Sequence, residues 1–369
     1  MNQRGSPQNQ AAAGGLIGRV LRICHLNLVL VSDFEFRISD LQGSPPRLAS
    51  QGWSRTSWRE QSLSLQLLCV VLLHLLFLNS GRGAESFRVA TYNLDNYLDA
   101  ASGTRPAKPP EGKAKIRESL RALQADVLAL QEMGATNALL ELRASLKSEG
   151  ADYPYWEHVS GHDAEIHVAV LSKFPITARR PHTNDSYLLF GRRFQVSRGF
   201  AEVDVQLTPR VSVTLLTTHL KSRRTVPEAD EAEMREQEAL LLREKIDHIL
   251  KVNPAANLIV LGDFNDTKDS KSIRTLIGRG RSALIDTRPA ERNGDDQPNP
   301  NPRYPPRTIT WTYHYGKADV YDRIDYILLS AAMAKRWKKS ETYVLSIPNW
   351  GVGSDHRPIV AAFSMANDQ

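Results

Sequence analysis

Five short clusters in this 369-residue chain place carboxylate, amide or imidazole groups at the ends of apolar runs. Asn93 and Asp95 follow FRVATY, Glu132 follows VLALQ, and His219 follows VTLLTT. Asp263 and Asn265 follow LIVLG, while Asp355 and His356 precede the final run IVAAF. At strand ends such side chains can converge on one cleft, where their types suit binding of a hard cation and transfer of protons. A hard divalent cation takes oxygen ligands and keeps several waters, so one or two acids hold it. An imidazole beside a carboxylate is fixed in one tautomer and made more basic, which suits proton transfer near neutral pH.

Taken singly, each cluster has an ordinary structural explanation. Asn-x-Asp after a strand makes a turn through its own backbone, as does Gly-Asp-x-Asn. A Glu after a buried strand complements the dipole of a following helix. A lone His219 reads as a structural histidine, and Asp355-His356 beside Arg357-Pro358 as a loop ion pair. The combination is what carries weight, because all five stand in a fixed order, each attached to an apolar strand.

The elements that must position them read as short apolar or β-branched runs alternating with helical patterns. Strands are expected over residues 87–93, 127–131, 167–172, 200–207, 211–218, 258–262, 326–329 and 359–363. Helices are expected over 113–124, 138–148 and a long charge-laced stretch, 227–250. In that stretch Pro227 is placed as a first-turn proline, Ala239, Leu242, Ile246, Ile249 and Leu250 share one face, and the charges read as solvated. Runs 200–207 and 211–218 form a hairpin, which a wholly parallel sheet would not contain. Residues 293–306, with five Pro, three Asn and two Asp, make a polar surface loop. No internal repeat is present.

Composition allows one large α/β domain or two small ones. The formal charge of +6 comes mostly from the N-terminal part. Of 47 basic residues eight precede Glu85, against four of 41 acids, so the remainder carries 39 against 37. Any electrostatic steering of a polyanion must therefore be local. Both cysteines, Cys24 and Cys69, precede Glu85, which excludes a thiol nucleophile, a disulfide or a thiolate zinc site beyond it. Residues 1–62 show no sustained periodicity and read as an unstructured or mis-annotated extension. Residues 63–84 hold an apolar run, LSLQLLCVVLLHLLFL, preceded by Arg55 and Arg59 and followed by small residues. That order reads as a secretory signal cleaved near Gly83 or Ala84, although it begins well inside the chain. The run is short against the roughly 20 residues a membrane span needs, so an anchor is the lesser reading. The active domain is then 85–369, secreted or periplasmic.

Six motifs in order, YNLD, LALQE, TTHLKS, VLGDFND, RIDYILLS and GSDHRP, resemble the signature of the endonuclease/exonuclease/phosphatase superfamily. This superfamily includes deoxyribonucleases, abasic-site endonucleases, bacterial sphingomyelinases and inositol polyphosphate phosphatases. The resemblance implies an α/β fold, a four-layer α/β sandwich with two packed mixed β-sheets flanked by helices. It makes Glu132 the principal metal ligand, with Asn93, Asp95 and Asp355 around it, and the cofactor Mg²⁺ (or Mn²⁺, Ca²⁺). Asn93 is also a substrate contact. His356 pairs with Asp325 and contacts the phosphate or activates water. Asp263 and Asn265 orient or deprotonate that water, and His219 is a general acid or phosphate donor; which group takes the proton stays open. Lys221 and Arg198 are substrate-binding candidates, and Trp311 is read as packing.

Family resemblance alone does not choose the substrate. YDRIDY lacks the cysteine-containing motif of the inositol phosphatase branch. His219 and Lys221 stand in TTHLKS where the abasic-site branch carries Tyr and Asn. The expected activity is hydrolysis of phosphodiester bonds by a secreted nuclease, with nucleic acid as partner and no obligate protein partner inferred. The alternatives are a sphingomyelinase-like phospholipid phosphodiesterase, with Tyr187–Phe190 as a short apolar docking loop, and a non-catalytic binding module of the same fold.

Overall fold

Runs such as VLALQ and LIVLG are apolar at consecutive positions, and consecutive side chains in a strand face opposite ways. Their sheets must therefore be covered on both faces. The computed structural model describes residues 86–293, 299–304 and 308–365 and meets this requirement with four layers. The extension 1–62, the apolar segment 63–84 and part of the loop 293–306 lie outside the described residues.

The first sheet has seven strands, in the spatial order β12 (Ala290–Glu291), β16 (Trp337–Val344), β17 (Ile359–Ser364), β1 (Ser86–Tyr97), β2 (Val127–Met133), β4 (His167–Ser172) and β3 (Tyr155–Val159). The second has six, in the order β11 (Ile285–Asp286), β15 (Asp325–Leu329), β10 (Leu258–Asp263), β9 (Val211–His219), β8 (Phe200–Thr208) and β5 (Ile176–His182). Both are mixed: β1 pairs parallel to β2 and antiparallel to β17, and β10 pairs parallel to β9 and antiparallel to β15. The expected hairpin is β8–β9. Two ribbons stand apart, β6 (Ser186–Leu189) with β7 (Arg192–Gln195) and β13 (Tyr313–Tyr315) with β14 (Val320–Asp322).

Alternation divides the apolar residues into three cores. Val89, Val127 and Val170 of the first sheet meet Val203, Leu215 and Leu261 of the second. Leu128 and Leu130 face the other way, toward α1 (Pro110–Leu123) and α2 (Thr136–Ser148). Leu216 and Val260 pack on α3 (Glu231–Val252) and α4 (Lys271–Ile277). Each such side chain contributes roughly 1.5–3 kcal/mol by leaving water.

Three expectations need correction. Pro227 is not in the first turn of the long helix, which starts at Glu231; the Asp230 carboxylate caps it by accepting the backbone N–H groups of Ala232 and Glu233. Nor are its charges all solvated, because Arg235, Glu238 and Arg243 are buried and bonded to neighbouring loops and to α4. Finally, β3, β5 and β16 were not expected. β3 and β5 are edge strands and β16 lies beside the two-residue β12, so one flank is largely unpaired and their sequences, such as ITARRPH, carry charge in place of an apolar run.

Gly262 in β10 has φ +139°, and a Cβ there would run into the Thr218 carbonyl of β9. We predict that Gly262→Ala destabilises by about 3 kcal/mol or more, since strained backbone and steric overlap each cost about 1–3 kcal/mol. A thermal melt within roughly 2 °C of wild type would contradict the close approach of β9 and β10.

Candidate active site

Parallel neighbours end at the same edge of a sheet, and antiparallel neighbours begin where they end. Strands β1, β2, β9 and β10 therefore finish where β15 and β17 start. In register, Asp263 of β10 stands directly between His219 of β9 and Asp325 of β15. The second sheet thus presents three polar side chains side by side, and the first sheet brings Asn93, Glu132 and the turn before β17 against them.

The backbone is bent where these strands end. Asp95, Asn96, Glu132 and Asn265 have φ of 46°, 59°, 56° and 54°, and the pairing of β1 with β2 slips between Asn93 and Tyr97. Asn and Asp tolerate this left-handed region, but Glu seldom enters it, so Glu132 is held by its surroundings. Its carboxylate accepts the Asn96 backbone N–H at 2.9 Å and the Asn93 amide at 3.3 Å. The ordinary turn chemistry is present as well: the Asn93 side-chain carbonyl accepts the N–H of Asp95, and Asp263 accepts that of Asn265.

A continuous buried network joins the sheets. The Asn93 amide donates to Asp263 at 2.9 Å, and His356 Nδ1 lies 2.8 Å from Asp325. Nε2 of His219 lies 3.4 Å from the Asp263 carboxylate and Nε2 of His356 lies 3.7 Å from it, on the same oxygen. Asn265 Nδ2 donates to the Leu220 carbonyl and, at 3.4 Å, to Asp263.

The two histidines are driven in opposite directions. Burial disfavours charge on both, and in His356 this is outweighed by the carboxylates of Asp325 and Asp263, which hold it cationic well above its ordinary range. His219 is pushed well down by burial and by Arg198, His356, Arg105 and Lys221, so it stays neutral. Burial and Asp325 raise Asp263, against the pull of His356 and the Asn93 and Asn265 N–H groups. One pair of imidazoles thus supplies a fixed cation and a neutral donor on either side of one carboxylate.

Two acidic groups invite a cation. Ligand atoms of Asp263, Asp325 and His356 lie within 4.8 Å of one another, but His356 is protonated and tied to Asp325. Glu132, Asp95 and Asp355 are the alternative set, all carboxylates but more widely spaced than that cluster among the described residues. Burial of its surroundings and the charges of Asp95 and Glu132 raise Asp355 above the usual carboxylate range; with its side chain 46% exposed, the two neighbouring carboxylates are the firmer cause. These hard oxygens are what a small divalent ion takes. Asp95 is also paired with Lys108 at 3.1 Å, a neighbour the sequence did not indicate.

Lys221 and Arg198 do not enter the network; they are buried in an adjoining pocket with Arg105 and Arg224. Trp311 packs, with Arg357 over its face and Trp350 beside it. Sequence reasoning missed Gln131, which bonds Thr91 and Thr217 across the two sheets, and Ser354, which ties the turn before His356 to the Asn93 carbonyl. It also missed Tyr313, whose ring lies 4.8 Å from that of His356 and which lines a cavity of about 810 Å³ with Asn265 and Tyr315. Gln131 and Ser354 stand inside LALQE and GSDHRP, so their motifs were the available signal.

Comparison with known proteins identifies the family and the fold. The model of the endonuclease/exonuclease/phosphatase family matches residues 90–356. Similar solved structures include the human nocturnin catalytic domain with bound sulfate, 18% identical over 76% of this chain and 94% of that one, TM-score 0.52. Sphingomyelinase C from Streptomyces griseocarneus is 20% identical over 76% and 99%, TM-score 0.51. The 3′ phosphatase NExo from Neisseria, bound to a product DNA hairpin, is 17% identical over 75% and 99%, TM-score 0.50. At such identities these structures speak to the fold alone. No curated protein matches the chain. The family match over residues 90–356, with the layered fold and the carboxylate and imidazole cluster where its two sheets end, shows that the chain belongs to the endonuclease/exonuclease/phosphatase family, whose members hydrolyse phosphate esters with a divalent metal.

Proposed function

We propose that this protein is an exported, Mg²⁺-dependent nuclease that hydrolyses phosphodiester bonds of nucleic acid. The observation that carries the reading is Asp263, set between a neutral His219 and a cationic His356, beside the acidic group Glu132, Asp95 and Asp355. The concentration of Arg and Lys next to His219 favours a polyanion.

In this reading Glu132, Asp95 and Asp355 hold the cation, whose chemistry is to neutralise phosphoryl charge and lower the barrier to attack. Asp263 orients the attacking water and takes its proton, a role helped by its raised proton affinity. His356, held by Asp325, donates a charge-assisted hydrogen bond to a phosphoryl oxygen, and neutral His219 donates a second. Asn265 and Asn93 fix the Asp263 carboxylate so that it does not rotate away.

A phospholipid diester is the second reading. The β6–β7 hairpin carries Leu188 at 61% and Phe190 at 75% exposure, beside Arg192 and Arg193, a combination that suits a membrane surface.

A hydrolysis screen against plasmid DNA, RNA and sphingomyelin, with and without Mg²⁺, Mn²⁺ or Ca²⁺, separates these readings. Cleavage of nucleic acid is expected; cleavage of lipid alone would replace the nuclease reading with the second. Export predicts a mature N-terminus near Glu85 by mass spectrometry, and an intact Met1 on extracellular protein would contradict it. Glu132→Gln keeps the side-chain shape and removes the charge, so it lowers kcat by at least about a hundredfold, on the order of a lost catalytic electrostatic contact, without lowering the melting temperature. A near-normal rate would sink the metal assignment. Asp325→Asn removes the main support for the His356 cation, so activity should fall with rising pH at a lower pH than in wild type. An unmoved alkaline limb, read from kcat against pH, would show that His356 does not act as a cation.

A further inference from the structure

Beside the catalytic network lies a pocket of about 460 Å³ whose lining includes none of Glu132, Asp263 or His356. Its floor is built from cations that the fold has buried. Arg198 is only 6% exposed and Lys221 only 7%. Burying a guanidinium costs several kcal/mol unless its N–H groups are matched. Here they are not: Arg198 approaches Asp163 at 3.5 Å through Nε, and neither Nε nor Nη1 has a hydrogen-bond partner.

The nearby acids do not make up the deficit. Asp163 shares Oδ2 with Arg105 at 3.3 Å and spends Oδ1 on the backbone N–H groups of Glu165 and Ile166. Glu165 pairs with Arg105. Glu238 spends both oxygens, accepting the N–H of Ser197 at 3.0 Å and of Lys221 at 2.6 Å. The Lys221 ammonium donates to the Ser222 and Arg224 carbonyls at 3.1 and 3.0 Å, which leaves one of its three N–H groups. Arg105 and Arg224 complete the cationic wall, against Asp163 and Glu228 on the same lining. Burial and Arg198 both lower the pKa of Lys221, as expected of like charges held together. Arg198, Arg105 and Lys221 also depress His219, so the pocket lies within electrostatic reach of that histidine.

We propose that this pocket is a second phosphate subsite, which binds a phosphate group of the substrate other than the one hydrolysed, through Arg198 and Lys221 with Arg105 and Arg224. A phosphate offers acceptor oxygens to several donors at once and carries the compensating charge. The inference rests on the phosphoesterase reading above and narrows it to substrates with a further phosphate near the scissile bond. Successive phosphates of a strand meet this requirement, and so does a terminal monophosphate.

Two measurements test it. The first titrates inorganic phosphate, without metal, into the His356→Ala protein, which lacks the charged one of the two histidine contacts to the reacting phosphate. One site is expected, weakened at least tenfold by adding Arg198→Met. Equal affinity with and without Arg198→Met overturns the proposal. Should Arg198→Met fail to fold, Arg224→Ala is expected to weaken binding at least threefold, and unchanged affinity has the same overturning force. The second compares kcat/KM for a dinucleotide carrying a terminal phosphate with the same dinucleotide lacking it. Wild type should prefer the phosphorylated form at least tenfold, and Arg198→Met should bring that ratio near one. A ratio near one in wild type refutes the subsite. If neither dinucleotide is cleaved, the nuclease reading fails while the phosphate titration still decides the subsite.

Discussion

Asp263 occupies the position on which the rest of the site depends. It is a buried carboxylate, and a carboxylate is tolerated away from water only where donors surround it. Its partners come from four separate segments: hydrogen bonds from Asn93 at the end of β1 and Asn265 in the turn after β10, and the imidazoles of His219 on β9 at 3.4 Å and His356 in the turn before β17 at 3.7 Å. Satisfying this one group fixes the relative placement of both sheets at the edge where they meet. Gln131, bonded to Thr91 on one sheet and Thr217 on the other, makes a second cross-sheet tie inside the interface.

Holding the groups there costs backbone strain. Glu132 at φ 56°, the slipped pairing after Asn93, and Gly262 pressed against Thr218 are each unfavourable locally. They persist because the strands behind them are locked between three apolar cores, which leaves little freedom to relax. The strain collects at strand ends because ladder hydrogen bonds stop there and the backbone can turn side chains toward the cleft.

Electrostatics then divides labour among similar groups. Two histidines a few ångströms from one carboxylate are kept in opposite protonation states. His356 has Asp325 behind it, whereas His219 has Arg198, Lys221 and Arg105 behind it. The cations that keep His219 neutral are also the walls of the pocket proposed to hold a second phosphate. Binding an anion there would reduce the positive field on His219, so occupancy of the proposed pocket and the charge state of that histidine would be linked.

By itself the sequence determined which apolar runs become central strands and which polar residues stand at their ends. Runs such as LIVLG admit only a doubly covered sheet, and the order of YNLD, LALQE, TTHLKS, GDFND and GSDHRP carries the family with it. Edge strands were illegible, because ITARRPH and WKKSETYV have one largely unpaired flank and carry charge where a pattern would show. The start of α3 was misplaced at Pro227 because a capping Asp230 three residues later satisfies the helix end better. Only the tertiary structure decided which residues the clusters meet. Asp263 reaches Asn93 across 170 positions of chain, and Ser354 reaches Asn93 across 261. It also decided that Arg198 and Lys221, from separate segments of the chain, are buried together and that Arg198 lacks full partners. Pairings of that kind depend on the stacking of two sheets, and no local pattern of residues encodes the distance between them.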